Sequence, residues 1–474
     1  MALATIRTLS GDTLRIGEEQ IASLRQCLRG ELCLPGDPGY DEARVLWNAM
    51  IDRRPGMVMR CVGTADVIQA VNFAREHQLL LAVRGGGHNI AGNACCDAGL
   101  MIDLSAMRSV QVDPVGRTAL VEPGATLADF DKEAQAFGLA TPVGINSTTG
   151  VGGLTLGGGF GWISRRYGLT VDNLVGADVV TADGRLVHAS AGENEDLFWA
   201  LRGGGGNFGV VTRFEFKLHA IGKEVLAGLI VHPFDQASDL FPRYLDYVRD
   251  LPDEMCYWVV MRKAPPLPFL PEEWHGKEVM IFAACHVGDI QEGERIMAPL
   301  RAMGDPIADV ISPHRFVDWQ AAFDPLLTPG ARNYWKSHDF TVLGNYTVAT
   351  IIDYAGRLPT PECEIFVVHL GGAVNRRAAD ATAYPHRDTN FVMNVHTRWG
   401  DPGDDGKCVA WAREFFDKTA PYANGGVYVN FMADDEVARV GGAYGANLDR
   451  LAAIKSRYDP DNLFRVNQNI APSA

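Results

Sequence analysis

"AVRGGGHNIAGN" (Ala82–Asn93) decides how the rest of the chain is read. An apolar run, "LLLAV", leads into three consecutive glycines, and His88 follows them. Glycine reaches positive φ and lets backbone N–H groups approach an anion with no side chain in the way. One such loop is weak evidence, because a tight surface corner with a bystander histidine explains it equally well. Two further clusters change the balance: "GVGGLTLGGGFGW" (150–162) and "LRGGGGNFGVVT" (201–212). Each is bounded by an apolar strand-like or helical run, and all three lie in the first half of the chain. Neither cluster is a Rossmann fingerprint, since no strand-Gly-helix unit is followed by a ribose-binding acid about 20 residues on. "RGGGGNFG" also lacks the Lys-Ser/Thr pair of a P-loop. A phosphate-bearing cofactor is implied, held in neither of the two commonest nucleotide folds.

Bulk properties narrow the function classes. The 474 residues are 47% hydrophobic, too many for one simple core and enough for two or three domains. A formal net charge of -15 and a pI near 5.3 lack the footprint of a nucleic-acid or anionic-membrane binder. The start of the chain has no signal-like pattern, and no apolar run approaches the roughly 18 residues of a membrane span. Nine cysteines at irregular spacing, with no CxxC pair, read as reduced thiols in a cytoplasmic protein. Cys95 and Cys96 read as small buried residues rather than a redox pair. No metal site is expected, since no second His or Cys stands at ligand spacing from His88.

Local patterns alternate helix and strand, an α+β texture. "TADVIQAVNFAREHQ" predicts an amphipathic helix capped by Thr64, and "TLADFDKEAQAFG" one capped by Thr126 and stopped at Gly138. "ADVVTADGRLVHAS" predicts a hairpin turning at "TADG". "RNYWKSHDF" (332–340), "CEIFVVHLGGA" (363–373) and "GVYVNF" (426–431) predict strands. "NLDRLAAIKSRYDP" predicts a closing helix, followed by an extended tail.

Together with the terminal "YDPDNLFRVNQNIAP", the three glycine clusters closely resemble the berberine bridge enzyme-like flavoproteins, which carry the vanillyl-alcohol oxidase (PCMH) type of FAD fold. The resemblance spans about residues 40–470. It implies an FAD-binding domain built from both chain ends, residues 1–215 and 430–474. An inserted substrate domain, 216–429, would lay an antiparallel sheet with helices over the flavin. It implies that His88 is bonded to the flavin 8α-methyl carbon. Arg84, Gly85, Gly86, Gly87 and Asn89 would surround the pyrophosphate. Gly150, Val151, Gly152, Gly153 and Gly157 would line the second loop, Gly209 and Val211 the adenine side, and Asn467 and Gln468 would close over the flavin. Many relatives place a second flavin-binding cysteine just before the GVGG motif. Here that position is Asn146, in "GINSTTGVGG", so a single link is expected.

The implied activity is an FAD-linked oxidase acting on a small alcohol, amine or phenol, with O2 as electron acceptor and H2O2 as product. The alternatives are a dehydrogenase of the same fold with another acceptor, or a carbohydrate oxidase. The partners are a small-molecule substrate and dioxygen, in a monomer or homodimer. As hydride leaves, a base must take the neighbouring O–H or N–H proton. Period-two alternation puts Tyr428 and Asn430 on one face, and the resemblance turns that face toward the flavin. Phe431 stands where sugar-oxidising relatives carry a tyrosine. Val367 and His369 share a face of their strand, making His369 the third catalytic candidate. Lys336 and His338 also share a face and read as satisfied polar residues, and His386 in "AYPHRD" as part of a structural turn. The tryptophans Trp258, Trp319 and Trp335, with Tyr334 and Tyr346, read as interface core or as an aromatic wall.

Overall fold

Strand alternation builds the largest sheet of the computed structural model, which describes residues 4–473. Along Met255–Lys263, Tyr257, Val259 and Met261 pack into the core beneath a helical layer, whereas Trp258, Val260 and Arg262 line a cavity on the other side. Neither face meets bulk water, which accounts for the near-continuous apolar run. Seven strands follow the order Ala308–Asp309, Glu224–Pro233, Glu278–His286, Met255–Lys263, Glu364–His369, Phe391–Trp399 and Arg332–Phe340, and Ser312–Arg315 joins Glu224–Pro233. All pairs are antiparallel. Helices Ala237–Val248, Ile290–Arg301, Asn345–Ala355 and Asp405–Thr419 share the core with the outer face of this sheet.

The first 217 residues build two smaller sheets of four and five strands, besides a two-stranded hairpin of Ala4–Arg7 and Thr13–Ile16. In one, Met57–Arg60 and Leu81–Arg84 each pair parallel with Leu100–Asp103. Residues of the Thr64–Glu76 helix share its core. The other is antiparallel and five-stranded, with Val210–Lys217 at its centre. The predicted hairpin forms, with Leu174–Val180 against Leu186–Ser190. Thr126 caps its helix as expected, in a reciprocal box with Asp129. Thr64 does not cap; it is already the first helical residue, and Gly63 flanks it without a side-chain bond.

The chain end returns to these first-half cores. Leu463 and Phe464 pack with Met57, Val67 and Leu100. Val427, Tyr444, Leu451 and Ile470 pack with Val121, Phe130 and Phe214. A fully buried ion pair latches the tail. Lys455 Nζ donates to Asp459 Oδ2 at 2.6 Å, to the Asn207 carbonyl at 2.7 Å and to the Phe464 carbonyl at 2.9 Å. Asn207 belongs to the third glycine cluster, so one ammonium joins that loop to the tail.

One predicted strand does not form. Residues 426–431 run extended only to Tyr428, and Val429–Phe431 is a single 3₁₀ turn. This segment joins no sheet. Its polar side chains bond instead to the second glycine cluster: Gly159 N–H to the Tyr428 hydroxyl at 3.1 Å, and Asn430 Nδ2 to the Leu154 carbonyl at 3.2 Å.

Replacing Lys455 by Met leaves the Asp459 carboxylate buried without its cation. The expected cost is about 3–5 kcal/mol, read as a lower urea midpoint with an unchanged slope.

Candidate functional site

The first two glycine loops meet backbone to backbone. A Cβ placed on Gly86 would lie 2.5 Å from both Cα and N of Gly150, and one on Gly150 would lie 2.4 Å from Gly86 N. The contact forms one wall of a long cavity. Gly85, Gly86, Gly87, His88 and Asn89 line it from the first loop, and Gly150, Gly152, Gly153 and Gly157 from the second. Gly205, Gly206, Gly209 and Val211 line it from the third cluster and its strand, and Asn467 and Gln468 from the tail. Fifteen of the eighteen site candidates read from the sequence therefore share one cavity wall, counting Tyr428 and Asn430.

Arg84, Val151 and His369 do not line it. Arg84 turns back behind the glycines, donating to the Ala43 carbonyl with Nε 3.9 Å from Asp103. Val151 opens the Val151–Leu156 helix and is core. His369 lies buried at its strand's end, 3.2 Å from Arg165 Nη1 and stacked on Phe391. Lys336 pairs with Asp435 at 2.8 Å, and the His338 and His386 rings bond backbone carbonyls. Burial pushes the Cys95 and Cys96 thiols up to about 11 and about 12, which leaves them inert.

His88 is stacked on Trp47, with ring centroids 5.0 Å apart. Its Nε2 lies 3.1 Å from Thr148 Oγ1, and that hydroxyl gives its one proton to Asn146 Oδ1 at 2.7 Å. The hydroxyl must therefore accept from Nε2–H, which leaves the lone pair on Nδ1. Burial lowers the imidazole to about 4, so it is neutral at pH 7.

Tyr428 and Asn430 act as a pair. The Tyr428 hydroxyl accepts from Gly159 N–H and from Asn430 Nδ2, the latter at 2.9 Å. Burial pushes this phenol up to about 12, so it is protonated at neutral pH and unsuited to be a base. Gly157 must be glycine here, since a Cβ would stand 2.2 Å from Asn430 Oδ1.

The opposite wall is the inner face of the large sheet. Its aromatic residues include Trp258, Phe366 and Trp335, with Phe160 and Phe431 beside them. Tyr334, Trp319 and Tyr346 are not part of this wall. Across it runs one polar row that the sequence reading missed. Arg262, Glu364, His396 and Trp335 are direct cross-strand neighbours on four adjacent strands. Arg262 Nη1 donates to Glu364 Oε2 at 2.7 Å, and His396 Nδ1 lies 3.1 Å from Glu364 Oε1. Burial alone would raise the Glu364 carboxyl, but Arg262 and His396 outweigh it and hold it at about 2. These residues are far apart in sequence, so only strand register reveals the row. On Glu364–His369 it is Glu364 and Phe366 that face the cavity, not Val367 and His369. A shift of one residue changes the face.

The cavity suits a long ligand with a polar edge. Asn467 Oδ1 and Gln468 Nε2 are buried on its wall with no hydrogen-bond partner. A Cβ on Gly153 or Gly206 would meet nothing within 4 Å. Backbone loops for phosphates and unpaired side-chain amides for a heterocycle fit FAD. No group of His, Cys, Asp and Glu among the described residues could hold a metal ion, and no helix among them is long and apolar enough to cross a membrane.

Comparison with known proteins agrees with this geometry. Residues 55–190 match the family model of an FAD binding domain, and 427–471 that of berberine and berberine-like proteins. An FAD-linked oxidoreductase of Dictyostelium discoideum is 33% identical over 90% of this chain and 91% of its own. The (R)-6-hydroxynicotine oxidase of Paenarthrobacter nicotinovorans is 31% identical over 94% and 97%. The crystal structure of 6-hydroxy-D-nicotine oxidase from Arthrobacter nicotinovorans superposes with a TM-score of 0.84 at 29% identity, covering 94% of this chain and 98% of that one. A xylooligosaccharide oxidase from Myceliophthora thermophila superposes with a TM-score of 0.82 at 25% identity, covering 95% and 99%.

Replacing Tyr428 by Phe removes the acceptor of Gly159 N–H and of Asn430. The buried donors left unpaired are expected to cost about 1–3 kcal/mol, measured by urea unfolding of the purified protein.

Proposed function

Because the chain belongs to the berberine bridge enzyme-like FAD-linked oxidoreductases, we propose that it is an oxidase that removes hydride from a small alcohol, amine or phenol, with O2 as final acceptor and H2O2 as product. One observation carries this reading: a single cavity has three glycine loops and a neutral histidine on one wall and a buried, ordered polar row on the other. When bound, FAD supplies the two-electron chemistry, while the protein supplies position and electrostatics.

The first two glycine loops would hold the pyrophosphate through Gly85, Gly86, Gly87, Asn89, Gly150, Gly152 and Gly153. Gly209 and Val211 would flank the adenine, and Asn467 and Gln468 the ring edge. Residues 1–215 and 430–474 would form the flavin domain, and 216–429 the substrate domain. The shared cores of the tail and the first half support that division. The free thiols are buried except Cys27, which accords with a reducing, cytoplasmic setting.

His88 would carry the single covalent link to the 8α-methyl carbon. Support comes from its neutral state and from the Thr148 contact, which leaves Nδ1 as the nucleophile. Asn146, where a second tether would need a thiol, supports one link rather than two. Tyr428 and Asn430 would order the ring's surroundings as fixed hydrogen-bonding groups, with the phenol protonated throughout.

Two measurements test this. Acid precipitation should carry the yellow colour down with the wild-type protein and with Asn146→Ala, and leave it in solution for His88→Ala. A screen of hydroxylated N-heterocycles, benzylic alcohols, amines and sugars should bleach the flavin anaerobically, and an air pulse should restore it within seconds with one H2O2 per flavin. Reduced flavin that persists for minutes in air overturns the oxidase reading in favour of a dehydrogenase.

A further inference from the structure

His396 is 3% exposed, and its two ring nitrogens are in different situations. Nδ1 faces Glu364 Oε1 at 3.1 Å. Glu364 is ionised and anchored by Arg262, so it can only accept, and the proton of that bond belongs to Nδ1. With that proton on Nδ1, the neutral form of the ring carries its lone pair on Nε2. It is buried and has no hydrogen-bond partner among the described residues, on a side chain that lines the cavity. Beside it, with ring centroids 4.6 Å apart, Trp335 also lines the cavity, and its Nε1–H is likewise buried and unpartnered. A bare acceptor and a bare donor stand together at one end of the polar row. Leaving such groups unpaired is costly, so they await a ligand group that both donates and accepts. A hydroxyl does this.

The rest of the sheet face describes what carries that hydroxyl. On the far side of Arg262, the cavity runs over Val260, Ile281, Val231 and Leu229, beneath Leu267 and Phe269. This stretch has no side-chain hydrogen-bonding group. A sugar ring would lose its hydroxyl hydration here without replacement, whereas an aryl or alkyl body gains by burial.

We propose that the substrate is an alcohol with an apolar body, and that His396 Nε2 takes its hydroxyl proton. The inference rests on the oxidase reading above and narrows its substrate class. The alcohol C–H bond breaks with its electron pair passing to the oxidant, the bound flavin. The O–H bond breaks with its proton passing to Nε2, and the O–H pair becomes the second bond of the carbonyl product. Glu364 is a positioning residue: it fixes the tautomer and stabilises the imidazolium that forms, as the carboxylate of a hydrolase triad does. The charged groups beside His396 on the sheet are Glu364, with Arg262 and Arg398 next to that carboxylate, and Tyr428 and His88 line the same cavity.

The test uses the flavin-loaded enzyme and 4-isopropylbenzyl alcohol, its methyl ether, 4-isopropylbenzylamine and xylobiose, with anaerobic rapid mixing to follow flavin bleaching. Wild type should be bleached by the alcohol. The ether and xylobiose should be inert, and the amine slower than the alcohol. His396→Gln should keep its flavin and its urea midpoint but react about 10²–10⁴-fold more slowly, the usual range for losing a general base. Glu364→Gln should keep its flavin and shift the Nδ1 proton resonance of His396 away from low field. An active wild type whose His396→Gln variant reacts within threefold of it overturns the base assignment. Bleaching by xylobiose but not by the alcohol overturns the substrate class. A wild-type flavin that no compound in this set or in the wider screen bleaches overturns the oxidase reading, and this inference with it.

Discussion

The contact between Gly86 and Gly150 is the constraint on which the site depends. Two loops more than 60 residues apart in sequence touch with no side chain between them. That approach turns two separate glycine clusters into one wall lined with backbone. It also brings Asn146 and Thr148, just before the second cluster, against His88. The histidine's tautomer is thus set by the second loop and not by its own. The third cluster is brought in differently, through Lys455, whose buried ammonium joins Asn207 to the tail. A buried ion pair is seldom a gain in stability over an apolar substitute. Here its three fixed bonds specify where the chain end lies, and the chain end supplies Asn467 and Gln468.

The other wall follows from strand register. In an antiparallel sheet, cross-strand neighbours are close whatever their separation in sequence. Arg262, Glu364, His396 and Trp335 become a continuous row because four strands pair without a slip. The row is electrostatically ordered, with a cation, an ionised carboxylate, an imidazole and an indole N–H in succession. Its apolar surroundings strengthen each of these interactions and raise the cost of any polar atom left unpaired. That asymmetry separates this row from the many surface ion pairs of the molecule, which water screens.

Legibility differed between the two walls for a physical reason. Glycine clusters are local: three residues without side chains announce a backbone-lined loop wherever they occur. His88 and the glycine-loop candidates were readable for that reason, and Asn467 and Gln468 from the terminal motif that carries the resemblance; all but Arg84 and Val151 line the cavity. The sheet wall has no local signature. Period-two alternation marks two faces on each strand but not which one is functional, and for Glu364–His369 the face bearing His369 was the wrong choice. For residues 426–431, alternation suggested a strand where a 3₁₀ turn forms, yet Tyr428 and Asn430 still meet, because their hydrogen bonds to the second glycine cluster replace ladder bonds.

The sequence by itself determined the fold class, the family, the cofactor type and the absence of a thiol at position 146, because each is carried by contiguous motifs. Only the tertiary structure decided that Arg84 and His369 turn away from the cavity, that Tyr428 is held protonated, and that Glu364 and His396 form a dyad. Those outcomes depend on burial and on contacts between residues tens to hundreds of positions apart. Desolvation and pairing across such distances exist only once the chain has folded.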